Sequence, residues 1–183
     1  VADWAAHTDS AMLDLTGVME PPVDAMREHL PDRERASLHP LFAPQRAPGN
    51  VALVADAVGP TLEPVLDALR AAGNDLFETT PEEHDEAMST VQAKSHAAVL
   101  AWALAGDDVR EEFHTPISGE LAELAETVTE GDARVYADIQ SQFGGADAVA
   151  EAAREVADAD DEAFADLYAE AGANADSLSG GDR

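Results

Sequence analysis

The chain has 183 residues, with 38 acids against 10 bases and a formal net charge of −28. Such a charge argues against nucleic acid and anionic membranes as partners, because both repel carboxylates. No cysteine is present, which excludes disulfides and thiolate chemistry, and the 45% apolar content allows a core of mainly small residues, since aromatics are only 5%.

Met12, Leu13 and Leu15 predict a buried strand ending near Thr16. A turn follows, and Pro21 and Pro22 open a helix to about Leu30, stopped by Pro31. Ala36 to Leu38 is a short extended run leading into His39-Pro40, where Pro40 holds His39 in the extended region. A Pro-rich loop comes next. Val51 to Ala55 predicts a strand, Pro60 to Ala72 a helix closed by Gly73, and Asp75 to Glu78 another strand. The first ~80 residues therefore alternate strand and helix, as α/β folds do.

From Thr80 onward only helices are predicted. Thr80 can cap the first turn, Pro81 suits the first helical position, and Glu83 sits where a capping box needs its acid. No Gly or Pro interrupts the pattern before Gly106, so one long helix is expected. His84, Met88, Val91, Ser95, Val99 and Trp102 share one face of it. Its last part, Ala97 to Ala105, is apolar all round and is expected to be buried on every side. Further helices are predicted over 107–113, 117–130, 132–143, 145–158 and 160–176, with a frayed tail over 177–183.

Lys94 is the only lysine, and the acids are spread along the whole chain. We read this as adaptation to multimolar salt, where a Debye length of ~3 Å at 1 M screens carboxylates from one another. No leader sequence or membrane span is visible, so the expected compartment is the cytoplasm.

His39 stands where a strand gives way to a loop, the place where α/β folds put ligands, although a plain surface histidine is the commoner outcome. His96, with Gln92 one helical turn before it, is either a satisfied core histidine or a ligand contact. His84-Asp85 opens a helix, where Asp85 reads as a charge matched to the helix dipole. His84 and His96 lie about 18 Å apart along one helix, too far to share an ion, so no metal site is expected. Gly144-Gly145 lacks dinucleotide-binding spacing.

Five stretches occur in order: Asp14-Leu-Thr-Gly-Val-Met-Glu20, His39-Pro-Leu-Phe-Ala-Pro44, His84-Asp85 through Gln92 and His96, Thr115-Pro116, and Tyr136-Ala-Asp-Ile139. Their order and spacing resemble the prephenate dehydrogenase family of tyrosine biosynthesis, from about Leu13 to about Tyr168. The resemblance implies oxidative decarboxylation of prephenate (or its amino analogue arogenate) to an aromatic product, with hydride passing to NAD or NADP. It implies that His39 hydrogen-bonds the ring hydroxyl and that His96 and Tyr136 line the substrate pocket; Gln92, one turn before His96, and Lys94, the sole lysine, are added as substrate contacts from their positions, with pairing to an acid the plainer role for Lys94. Thr16 and Gly17 would face the cofactor. It also implies a homodimer built through the helical domain.

On this reading residues 1–80 are the second half of a Rossmann-like domain without its Gly-rich loop, and 81–176 form an all-α substrate and dimerisation domain. The chain would begin midway through the nucleotide domain. Four positions depart from the family pattern. Gly17 and Met19 replace the Ser and Lys of Asp-x-x-Ser-x-Lys, Thr127 aligns with a substrate-binding arginine, and Ser95 precedes His96 where some members have arginine. Arg46 and Lys94 are the cations left to replace them. These losses keep a rival expectation open, a non-catalytic dimerisation or ligand-sensing relative.

Overall fold

Four short strands form one mixed sheet in the order β1 (Ala11–Asp14), β2 (Glu34–Pro40), β3 (Asn50–Ala57), β4 (Asp75–Glu78). The structure is a computed structural model and describes residues 1–178. β1 pairs parallel with β2 across α2 (Glu20–His29), and β3 pairs parallel with β4 across α3 (Glu63–Ala71). Both parallel pairs thus have the helical crossover that such pairing requires. The central pair, β2 and β3, is antiparallel, joined by the Pro-rich loop and carrying a bulge between Arg35 and Ser37. A four-residue helix, α1 (Ala2–Ala5), precedes the sheet and packs on α2.

Side chains alternate across the sheet, so each strand feeds two cores. Ala36, Leu38, Val51 and Leu53 pack with Leu62 and with Leu66 of α3. Ala52 and Val54 pack on the other face with Met19, Val23 and Met26 of the α2 segment. By the same alternation Ser37 and His39 lie on the α2 face. Arg27 of α2 and Arg35 of β2 both reach Asp56 of β3, at 2.8 and 2.7 Å, which ties that helix down. Helix α3 starts at Glu63, later than the expected Pro60, because the Glu34 carboxylate accepts the N–H groups of Thr61 and Leu62 and fixes the turn before it.

The long helix expected after Thr80 is broken. Thr80 caps α4 (Pro81–Met88) by accepting from the Glu83 N–H. The Glu83 carboxylate bonds the Thr79 hydroxyl instead of closing a capping box. A π turn then runs from Ser89 to Lys94, and α5 (Ser95–Ala105) follows. A π turn takes more residues per turn than an α-helix, so one apolar face cannot run through it. Val91, on the expected buried face, is 59% exposed, while Ala93 is fully buried.

The remaining helices are α6 (Pro116–Thr129), α7 (Ala133–Phe143), α8 (Gly145–Asp158) and α9 (Asp161–Leu178). The expected helix over 107–113 is only a single 3-10 turn, Glu111–Phe113. Ser177 and Leu178, expected in the tail, close α9, and 179–183 lie outside the described residues.

The chain divides into two units: Val1–Gln92 with Ala137–Phe143, and Ala93–Tyr136 with the chain from Gly144 onward. In the second unit α5 packs against α6 and α8. Within the single chain only Ala97 of α5 is buried, short of the cover on all sides expected of it together with a second subunit. The neighbouring helices are Ala-rich and supply too few large side chains to cover it.

Close contact in this unit depends on Gly145, where an added Cβ would stand 2.5 Å from the Lys94 amide nitrogen and overlap the Ala93 carbonyl carbon. Gly145→Ala is therefore expected to destabilise the protein by about 1–3 kcal/mol or more through overpacking. Gly119 in α6 has nothing within 4 Å of such a Cβ, so Gly119→Ala should stabilise by about 0.5–1 kcal/mol. Chemical denaturation of the two variants checks the opposite signs.

Candidate functional site

His39 sits at the end of β2, with Pro40 closing the strand after it. Its Nδ1 lies 2.9 Å from Nε2 of His84, and the two rings meet edge to face with centroids 5.1 Å apart. His84, in α4, is only 3% exposed. Its Nδ1 is 2.7 Å from Oδ1 of Asp85. The Asp85 carboxylate in turn accepts the N–H of Met19 at 2.9 Å and of Glu20 at 3.0 Å. These are the first amides of α2, whose positive end suits a carboxylate. One chain of hydrogen bonds therefore joins β2, α4 and the start of α2.

Asp85 thus serves a helix other than its own, 65 residues away in sequence. The signal for this was the start of α2: Met19 stands at the N-cap with no side-chain oxygen, so the amides behind it need an acceptor from elsewhere. Met19 itself is fully buried among Val23, Met26, Ala52 and Val54, a setting that suits an apolar side chain.

The other edge of the His39 ring faces Gly17, where a Cβ would stand 3.7 Å from His39 Nε2. Burial first, and then the neighbouring His84, push the His39 pKa down to about 4. His39 is consequently neutral near pH 7, with one nitrogen able to accept. The sign for stability follows. The folded pKa of about 4 lies below the ordinary 6.5, so the unfolded chain binds the proton more tightly. The contribution of neutral His39 is complete above pH 6.5 and is lost as pH falls toward 4. Denaturation at pH 7 and pH 4.5 should show wild type losing more stability on acidification than His39→Asn.

Thr16 and Gly17 follow β1 and are exposed. The Thr16 hydroxyl lies 2.9 Å from Asp14 Oδ2 and 2.8 Å from the Val18 carbonyl. Ser37, fully buried, donates to the same Asp14 oxygen at 2.9 Å. The turn carrying Gly17 is thereby fixed to β2 next to His39.

Two of the other expected site residues meet in the second unit. His96 and Tyr136 contact edge to face, ring centroids 4.9 Å apart. His96 Nδ1 is buried with no hydrogen-bond partner among the described residues, and burial lowers the pKa of the ring. Gln92 and Lys94 both fall in the π turn, a local distortion that recurs at functional sites. Thr127 spends its hydroxyl on the Glu123 carbonyl of its own helix. Arg46 ends an exposed 3-10 turn, Pro44–Arg46. Among the described residues no three His, Asp or Glu side chains are grouped to hold a metal ion.

No family model matches the sequence. The chain is similar to a curated relative, 4-amino-4-deoxyprephenate dehydrogenase of Streptomyces pristinaespiralis, at 32% identity over 164 residues, covering 79% of this chain and 54% of the relative. It spans about half the length of that protein. Among solved structures it is similar to prephenate dehydrogenase from Aquifex aeolicus, with a TM-score of 0.65 at 14% identity over 94% of this chain and 70% of that one. A complex from A. aeolicus with hydroxyphenyl propionate and NAD+ gives 0.61 at 16% identity, over 93% of this chain and 68% of that one. Arogenate dehydrogenase from Synechocystis gives 0.55 at 12%, over 91% and 68%. At these identities the structures speak for the fold, a small mixed sheet followed by an all-helical region.

Proposed function

We propose that this chain belongs to a dehydrogenase of the prephenate dehydrogenase family, which the curated relative and the structural neighbours support. The reaction is oxidation of a prephenate-type ring at the carbon bearing its hydroxyl, with loss of the ring carboxylate as CO2. The observation that carries this reading is His39: neutral, held at Nδ1, and open at its Nε2 edge toward Gly17. As the ring carbon loses hydride, its hydroxyl acidifies, and an acceptor at that point stabilises the developing charge. The C–C bond to the carboxylate then breaks and its electron pair aromatises the ring, so the oxygen keeps its proton and becomes a phenol. His96, Gln92, Lys94 and Tyr136 are the proposed substrate contacts.

A bound nicotinamide, NAD or NADP, supplies the hydride acceptor. The residues present would fit one end of it: exposed Gly17 adjoins His39, and exposed Thr16 precedes it. The 183 residues hold no G-x-G-x-x-G turn for the pyrophosphate. The chain by itself is therefore expected to produce no NAD(P)H from prephenate, and measurable turnover by the purified chain would contradict that. The sheet is read as the second half of a dinucleotide-binding domain.

A second substrate has one observation in its favour, the name of the 32%-identical relative. A neutral imidazole nitrogen accepts from an amino group as it does from a hydroxyl, so a 4-amino ring is also compatible with His39. The test of the site is direct. Titrating the 15N-labelled chain with 4-hydroxyphenylpropionate should shift the His39 and His96 ring signals, and an unmoved His39 would sink the assignment. In-frame coding sequence upstream of Val1 should supply G-x-G-x-x-G.

The same reading places the protein in a cytoplasm of high salt. No helix among the described residues is long and apolar enough to cross a membrane. With a net charge of −28, the fold needs screening. The melting temperature is expected to rise by about 10 °C or more from 0.1 to 2 M KCl, equivalent to roughly 3 kcal/mol. A flat profile would remove the high-salt assignment.

A further inference from the structure

We propose that Asp85 and His84 are positioning residues that set the tautomer of His39, so that it carries its proton on Nδ1 and presents a bare Nε2. The argument runs outward from Asp85. An ionised carboxylate only accepts hydrogen bonds, and this one already accepts two backbone N–H groups of α2. At 2.7 Å, His84 Nδ1 must therefore donate to it. Neutral His84 is then left with a lone pair on Nε2. That atom lies 2.9 Å from His39 Nδ1, which must hold the shared proton. His39 Nε2 is consequently unprotonated.

The reverse direction would need His84 as a buried imidazolium donating from both nitrogens. At 3% exposure that cation would lose its hydration, and the carboxylate charge beside it is already met by two amides at a helix terminus. The neutral relay is the arrangement the surroundings favour. It also places the acceptor correctly, because Nε2 is the ring atom nearest Gly17. Substrate hydroxyl recognition at Nε2 rests on the dehydrogenase reading above, whereas the tautomer does not.

Two-bond 1H–15N correlations of the 15N-labelled histidines, recorded on the whole chain at pH 7 in 2 M KCl, test the relay. His39→Gln and His84→Gln assign the signals. Both His39 and His84 are expected as Nδ1–H tautomers, opposite to the form that free imidazole favours. Asp85→Ala removes the acceptor of the His84 Nδ1–H, so the Nδ1–H preference of both histidines should fall toward the Nε2–H form. His39 protonated at Nε2, or His84 cationic at pH 7, overturns the proposal. So does a folded Asp85→Ala chain whose His39 tautomer preference is unchanged. If that variant unfolds through loss of the α2 cap, the wild-type tautomers still decide the question. Failure of 4-hydroxyphenylpropionate to bind, with Nδ1–H intact, would count against the dehydrogenase reading alone.

Discussion

Replacing His39 by asparagine should lower kcat/KM by about 10²–10⁴ in a form of the protein that also carries the pyrophosphate-binding turn. The loss should fall on kcat as much as on kcat/KM, because the hydroxyl becomes strongly acidic only as hydride departs. Asparagine keeps a polar side chain at the end of β2 but cannot present an imidazole nitrogen toward Gly17. The pH profile gives a second check. With the His39 pKa near 4, no limb from this residue should appear between pH 6 and 8. A loss under fivefold, or a KM effect alone, would remove His39 from the chemistry.

The chain should self-associate through its helical unit, giving twice its 19.2 kDa by light scattering in 2 M KCl. The reason is the uncovered apolar surface. Leu104 is 87% exposed, Ile117 73% and Tyr168 75%, with Phe113, Leu124 and Phe164 also exposed. Soluble monomers rarely leave so many large apolar side chains in water. A second copy about a two-fold axis presents the same surface in return, and an obligate contact of this kind buries upwards of roughly 2,000 Å². Leu104→Asp leaves the folded unit intact, since the side chain touches little within the chain, yet would bury a charge in the interface. Trp102→Ala is expected to weaken association by about 3 kcal/mol or more, a change of ~10² in Kd. A monomer at micromolar concentration would refute the dimer and leave the apolar α5 unexplained.

Local chemistry carried much of the fold. Pro22, Pro31, Pro81 and Gly106 punctuate the chain and mark where helices start and stop, although the helix expected between Pro81 and Gly106 is interrupted by the π turn. Thr80 caps α4 as expected because capping is settled within three residues. The apolar run Val51 to Val54 marked a strand by its β-branching and length, and all four residues are buried in the sheet. His39 was legible as a candidate from its place before Pro40 at a strand end.

Other features required the tertiary structure. Asp85 looked like a charge for its own helix, and only packing brings α2 close enough for its amides to claim that carboxylate. The His39–His84 bond spans 45 residues, and no local pattern encodes such a pairing. The π turn over 89–94 was invisible because its residues suit an α-helix equally well; Gly145 packing against Ala93 and Lys94 belongs to the same local geometry. The apolar run of α5 marks a surface that seeks cover, and only the fold shows that within the chain Ala97 alone finds it. Short-range preferences fix where elements begin and end, while contacts between elements depend on shape and burial summed over the whole fold.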